Sequence, residues 1–255
     1  DSPIRFRQMS QQSGIDMVYY GNPSPERYMT EQNGGGVAIS DFDNDGQLDV
    51  FLVNGSHFQK PARKRFESNR LYRSKSEPFH YDDVTVHSGL ESTGFGMGCT
   101  AADYNNDGFT DLFVAYYGQN QLWCNNGDGT FEEVSRQVGL NEDAWSCSAA
   151  FADLDSDGDL DLYVVNYVEW NSDDPPCFFP IEPPVKVSCS PMSRDGQADD
   201  LYSNQGNGTF QEIGEAAGIT IAPHGKGLGV VICDFDSDER LDIYVANDTT
   251  PNNLF

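Results

Sequence analysis

Residues 41–49 read DFDNDGQLD, and the same nonapeptide returns as DYNNDGFTD at 103–111, DLDSDGDLD at 153–161 and DFDSDERLD at 234–242. The copies hold 4, 3, 5 and 5 acidic residues, so 17 of the chain's 41 acids sit in these short segments. Like charges at this density repel one another unless a counter-ion joins them. Outside these segments the chain is ordinary enough to build a core: 255 residues, 38% of them hydrophobic. Against 41 acids stand 15 Lys and Arg, a formal charge of −26 that repels a phosphate backbone and argues against nucleic-acid binding. No apolar run approaches the roughly 18 residues of a membrane span. The chain opens at Asp1 without Met, as expected of a processed chain or a piece of a longer one.

Two further repeats run in fixed order with the acidic one. An aromatic, an aliphatic or Met, Gly and a branched aliphatic recur at identical spacing in Phe6/Met9/Gly14/Ile15, Tyr81/Val84/Gly89/Leu90, Phe131/Val134/Gly139/Leu140 and Phe210/Ile213/Gly218/Ile219. Leu followed by an aromatic falls at Leu71-Tyr72, Leu122-Trp123, Leu201-Tyr202 and Leu254-Phe255. One unit therefore reads as small-residue strand, acidic loop, apolar strand, Leu-aromatic strand, Asn/Asp/Gly turn and outer strand. Short β-rich runs joined by such turns form antiparallel hairpins. A repeated four-stranded meander marks an all-β fold, a β-propeller of four-stranded antiparallel blades.

The expected blades span about 37–87, 95–137 and 145–216, with a partial fourth over 225–255, so about three and a half blades are present. Residues 1–36 form an N-terminal segment whose outer strand, Phe6 to Met9, has no blade of its own and is free to complete another by strand sharing. A four-bladed closure would use every element once; the reading favoured is an arc of a larger ring.

Oxygens at positions 1, 3, 5 and 9, with a tight turn at position 6, suit a hard divalent cation, and Ca2+ is the expected ion. The side-chain ligands are Asp41, Asp43, Asp45 and Asp49 in loop one, and Asp103, Asn105, Asp107 and Asp111 in loop two. They are Asp153, Asp155, Asp157 and Asp161 in loop three, and Asp234, Asp236, Asp238 and Asp242 in loop four. By analogy of spacing, the position-7 backbone carbonyls of Gln47, Phe109, Asp159 and Arg240 complete the shells. An EF-hand needs Glu at position 12, where Leu52, Val114, Val164 and Val245 stand instead. Loops one to three are expected to bind. Loop four is left open, because Glu239 takes the glycine position and Arg240 adds a positive charge.

At these residues the chain resembles the FG-GAP, or VCBS, repeat family, to which integrin α-subunit propellers are related. Phe95-Gly96 ahead of Cys99-Thr100-Ala101, and Gly34-Gly35-Gly36-Val37-Ala38 in the first blade, hold the place of the family's namesake stretches, though without its Pro. The segments FRQMSQQSGIDMVYYG, GGGVAISDFDNDGQLDVFLVNG, CSPMSRDGQADDLYSNQGNGTF and YVANDTTPNNLF look like the cartilage acidic protein group, which joins such repeats to a C-terminal ASPIC/UnbV domain. The resemblance implies a secreted or surface protein, periplasmic or on the outer surface if bacterial. It further implies a ring of about seven blades and no catalytic site.

Loop spacings of 62, 50 and 81 residues mark insertions in two blades. The first opens a basic strip, Lys60, Arg63, Lys64, Arg65, Arg70, Arg73 and Lys75, which either contacts an anionic glycan or balances nearby carboxylates. The second, Val168 to Asp199, is Pro-rich and irregular, and a Cys177–Cys189 disulfide is expected to hold it. Cys99, Cys124, Cys147 and Cys233 read as buried thiols, and the four histidines as packing or surface residues. Every carboxylate cluster is used by the metal motif, so no acid/base pair remains and an enzyme is not expected. The reading is a calcium-stabilised extracellular module for adhesion or for protein or matrix binding; the alternative is a carbohydrate-binding or polysaccharide-active, lyase-like propeller.

Overall fold

The computed structural model describes residues 4–21, 24–58 and 67–255. Lys60, Arg63, Lys64 and Arg65 lie outside the described residues. Blade one is a four-stranded antiparallel sheet of β1 (Val37–Ser40), β2 (Asp49–Leu52), β3 (Arg70–Ser74) and β4 (Tyr81–Asp83). Blade two repeats it with β5 (Phe95–Ala102), β6 (Asp111–Gln119), β7 (Gln121–Asn125) and β8 (Phe131–Glu133). Blade three uses β9 (Asp143–Ala152) and β10 (Asp161–Asn166). The hairpin β11 (Cys177–Phe179) and β12 (Val185–Val187) interrupts it before β13 (Asp200–Asn204) and β14 (Phe210–Glu212) complete the sheet. Blade four has three strands, β15 (Gly227–Cys233), β16 (Asp242–Asn247) and β17 (Asn253–Leu254). The architecture is a partial β-propeller.

Strand periodicity explains the burial. In β6, Leu112 and Val114 point toward blade one and pack with Phe42, Phe51 and Leu71, whereas Phe113 and Ala115 point toward blade three and pack with Leu162, Val164 and Phe210. In β10 the same alternation sends Leu162 and Val164 one way and Tyr163 and Val165 the other, against Ile243 and Val245 of blade four. A strand buried on both faces reads as a continuous apolar run, and burying each such side chain stabilises by about 1.5–3 kcal/mol. The ends of the arc lack one neighbour each: Val37 and Ile39 are 54% and 59% exposed, Val231 and Leu254 56% and 62%.

Phe6 to Met9, read as an outer strand, form none, and Phe6 is 96% exposed. The following turn nonetheless keeps the repeat geometry. A helical turn, Ser10–Ser13, ends in left-handed Gly14 (φ 82°), as Thr85–Ser88 ends in Gly89 (φ 82°) and Gly214–Ala217 in Gly218 (φ 82°). Gly14 lies against the Tyr81 carbonyl, Gly89 against that of Phe131, and Gly139 against that of Phe210, so these three turns each rest on the outer strand of the blade that follows.

Cys177 and Cys189 are disulfide-bonded, as expected. The insertion is more regular than its composition suggests, because the bridge sits at the base of the β11–β12 hairpin, where Cys177 pairs with Val187. An Arg194–Asp174 ion pair at 2.7 Å ties its return to its start. The other cysteines are free; Cys147 is buried, but Cys99, Cys124 and Cys233 are half-buried rather than enclosed.

Glycines let the innermost strands approach. A Cβ on Gly36 would meet the Gly98 backbone, and one on Gly98 would run into the Cys147 carbonyl. Because the obstacle is backbone, no side chain can move aside. Gly98→Ala is expected to cost about 1–3 kcal/mol in urea unfolding, like other overpacked sites.

Candidate metal centre

Each acidic loop joins a blade's first strand to its second, and its backbone is folded around its own carboxylates. The residue at position 4 is left-handed in every copy: Asn44 (φ 55°), Asn106 (57°), Ser156 (63°) and Ser237 (65°). Position 6 is left-handed as well, at Gly46, Gly108 and Gly158, and at Glu239 (φ 70°), which accepts the strain glycine avoids. These turns aim consecutive N–H groups inward. Asp41 accepts from the N–H groups of Asp45 (3.0 Å) and Gly46 (2.8 Å); Asp103, Asp153 and Asp234 do the same in their loops. The position-5 carboxylates of Asp45, Asp107, Asp157 and Asp238 accept from the N–H two residues on, at 2.8–2.9 Å.

The position-9 carboxylates do something else. Asp49 accepts from the N–H of Phe42 (3.0 Å) with one oxygen and from that of Ser74 (2.8 Å) with the other. Asp111 joins Tyr104 and Asn125 in the same way, and Asp161 joins Leu154 and Asn204. Asp49, Asp111 and Asp161 are at most 5% exposed. Burial, only partly offset by the backbone donors, pushes the Asp49 carboxyl up to about 6 and that of Asp111 up to about 7, and raises that of Asp161; neighbouring loop carboxylates add to each rise. A cation held by those neighbours would remove the repulsion.

Carboxylate oxygens of Asp41, Asp43 and Asp45 all lie within 4.8 Å of one another, as do those of Asp153, Asp155 and Asp157. Oxygens no farther apart than that can all reach one ion through bonds of about 2.4 Å, so the residues fit a divalent cation. In loops one and three the cluster comprises positions 1, 3 and 5, with Asp49 and Asp161 outside it on their backbone donors. Loop four, left open by the sequence, also forms a cluster, of Asp234, Asp236 and Asp242. Loop two keeps the fold, but Asn105 supplies an amide in place of the third carboxylate and donates to Asp107 at 2.9 Å.

Of the basic strip, the described members face carboxylates: Arg70 lies 3.4 Å from Asp83, Arg73 3.7 Å from Asp43, and Lys75 2.6 Å from Asp82. That geometry accords with charge balancing, and Arg73 already stands at the edge of loop one. Among the described residues no helix is long and apolar enough to cross a membrane.

The FG-GAP-like repeat matches residues 41–114, 103–164 and 189–245, each match containing at least one of these loops. The chain belongs to the FG-GAP repeat family. It is 24% identical over 226 residues to cartilage acidic protein 1 of Mus musculus and 24% identical to that of Homo sapiens, in each case over 86% of this chain. It spans about a third of the length of these relatives, 32% and 31%. A solved structure of an Agrocybe aegerita lectin, described as recognising non-reducing terminal N-acetylglucosamine, matches with a TM-score of 0.34 and 16% identity over 87% of this chain and 66% of that one.

Two residues central to the loops escaped the sequence reading. Asn125 and Asn204 lie two positions beyond the Leu-aromatic pairs, where LWCN and LYSN share an Asn, and the adjoining Asn-Gly and Gln-Gly turns masked it. Their side chains are buried and hydrogen-bonded to the loops.

Glu239 offers a direct check on loop geometry. Glu239→Gly keeps the N–H donated to Asp234 at 3.0 Å and removes the left-handed strain, so it is expected to stabilise the protein by about 1 kcal/mol in thermal or urea unfolding.

Proposed function

We propose that this FG-GAP chain is a non-catalytic extracellular interaction module whose acidic loops hold Ca2+ as structural cement. The observation that carries the reading is the recurrence, in the acidic loops of blades one, three and four, of carboxylate oxygens gathered within the span of one ion. Asp41, Asp43 and Asp45, Asp153, Asp155 and Asp157, and Asp234, Asp236 and Asp242 would hold the ions, with loop two contributing Asp103, Asn105 and Asp107. Bound calcium would supply charge neutralisation and a rigid link between the first two strands of each blade. With a Kd on the order of 0.1 mM, ~1 mM Ca2+ stabilises the fold by ~1.4 kcal/mol per site, enough for several sites to decide whether a domain of ordinary stability persists. The disulfide agrees with an oxidising, calcium-rich exterior.

The face for a protein or matrix partner is the end of the blades opposite the loops. There the second insertion and the start of β9 enclose a recess of about 440 Å³, with Tyr117, Trp145 and Trp170 beside Asp143, Asn171 and Gln197. Aromatic rings next to a carboxylate and two amides also suit a saccharide, and this recess is what favours the second reading, a carbohydrate-binding propeller. A glycan array answers that reading: it stands if a saccharide binds and Trp170→Ala abolishes the signal, and it goes if none binds.

For the principal reading, thermal unfolding in EDTA and across a Ca2+ titration is decisive. The midpoint is expected to rise by several degrees with Ca2+ and far less with Mg2+, and Asp155→Ala is expected to remove part of the rise. An unchanged midpoint would falsify the calcium reading.

A further inference from the structure

The loops of neighbouring blades are tied together by two buried asparagines. Asn125 is 2% exposed and Asn204 4%. One Asn125 amide proton goes to the Phe42 carbonyl of loop one (2.8 Å) and the other to the Thr110 carbonyl of loop two (3.0 Å). Its backbone N–H goes to Asp111 of loop two, and its side-chain oxygen accepts from Gly127 (3.0 Å). Asn204 repeats every bond one blade on: its amide donates to the Tyr104 carbonyl of loop two (2.8 Å) and the Leu160 carbonyl of loop three (3.1 Å), while its N–H serves Asp161. Phe42 stands between Asp41 and Asp43, and Tyr104 between Asp103 and Asn105, so each bridged carbonyl belongs to a residue flanked by two proposed ligands.

A second row of links runs along the surface. Asn44 donates to the Gly108 carbonyl (3.3 Å) and Asn106 to the Asp159 carboxylate (2.7 Å), each from a left-handed position 4.

We propose that loops one, two and three bind calcium as a coupled row, with Asn125 and Asn204 as the positioning residues that carry the coupling. The inference rests on the calcium reading above. An ion that fixes the ligand backbone of one loop also fixes the carbonyl held by the shared asparagine, because moving one loop alone would strand a buried amide proton. The neighbouring loop is then partly ordered before its own ion arrives, which makes the coupling positive.

The test follows the Gly46, Gly108 and Gly158 amide resonances through a Ca2+ titration of the 255-residue chain, giving one midpoint per loop. Asp155→Ala, which disables loop three, is expected to shift the Gly108 midpoint to higher Ca2+ by about fivefold or more, the lower range of ordinary allosteric coupling. In the Asn204→Ser background the same change is expected to leave Gly108 where it was. If Asn204→Ser does not fold, the Asp155→Ala comparison still decides, and the exposed Asn106→Ser removes the surface link in a second background. A Gly108 midpoint unmoved by Asp155→Ala, with loops one and two still binding, overturns the coupling alone. No calcium-dependent shift at any of the three glycines overturns the calcium reading, and the coupling with it.

Discussion

The buried carboxylate at the end of acidic loops one, two and three is the constraint on which the blades depend. Asp49, Asp111 and Asp161 each accept one backbone N–H from within their loop and one from the end of the third strand, so a single side chain fixes both the loop and the sheet register beside it. The bond pattern suits an ionised acid, yet burial and the surrounding carboxylates disfavour that form. The fold thus places its most constrained charges where other acids crowd them. A cation at the loop's outer carboxylates relieves that conflict without touching the clamp.

Around this clamp the packing is repetitive because the strands are two-faced. Leu112 and Val114 serve one neighbour, Phe113 and Ala115 the other, and Leu162 through Val165 repeat the arrangement one blade later. Stability is therefore shared between blades rather than owned by any of them. The glycines at the inner strands and the helical turns that rest on the next blade's outer strand belong to the same scheme.

Much of this was legible in the sequence because the repeat is local. Spacing within Asp41–Asp49 and its copies located the loops, short apolar runs bounded by Asn/Asp/Gly turns gave the strands, and the Cys177–Cys189 pair followed from a Pro-rich insertion. What stayed hidden depends on residues distant in sequence. Nothing in DFDNDGQLD tells that Asp49 will meet Ser74, or that Asn204 will reach back to Tyr104, since those partners come together only when neighbouring strands and blades pack. Phe6 to Met9 carry the outer-strand pattern and form no strand, because a strand pattern states a preference while a strand requires a neighbour. Glu239 shows the converse: an unfavourable residue takes the left-handed turn when the rest of the loop dictates it.

The links from Asn44 to Gly108 and from Asn106 to Asp159 place the acidic loops side by side at one end of the strands, while Phe95, Tyr117, Trp145 and Tyr167 gather at the other. The molecule therefore has an electrical polarity along its blades. In the field of a negatively charged surface it experiences a torque that turns the loop end away and presents the aromatic end, before any contact forms. A cation held by the loops would neutralise part of that charge and weaken the torque.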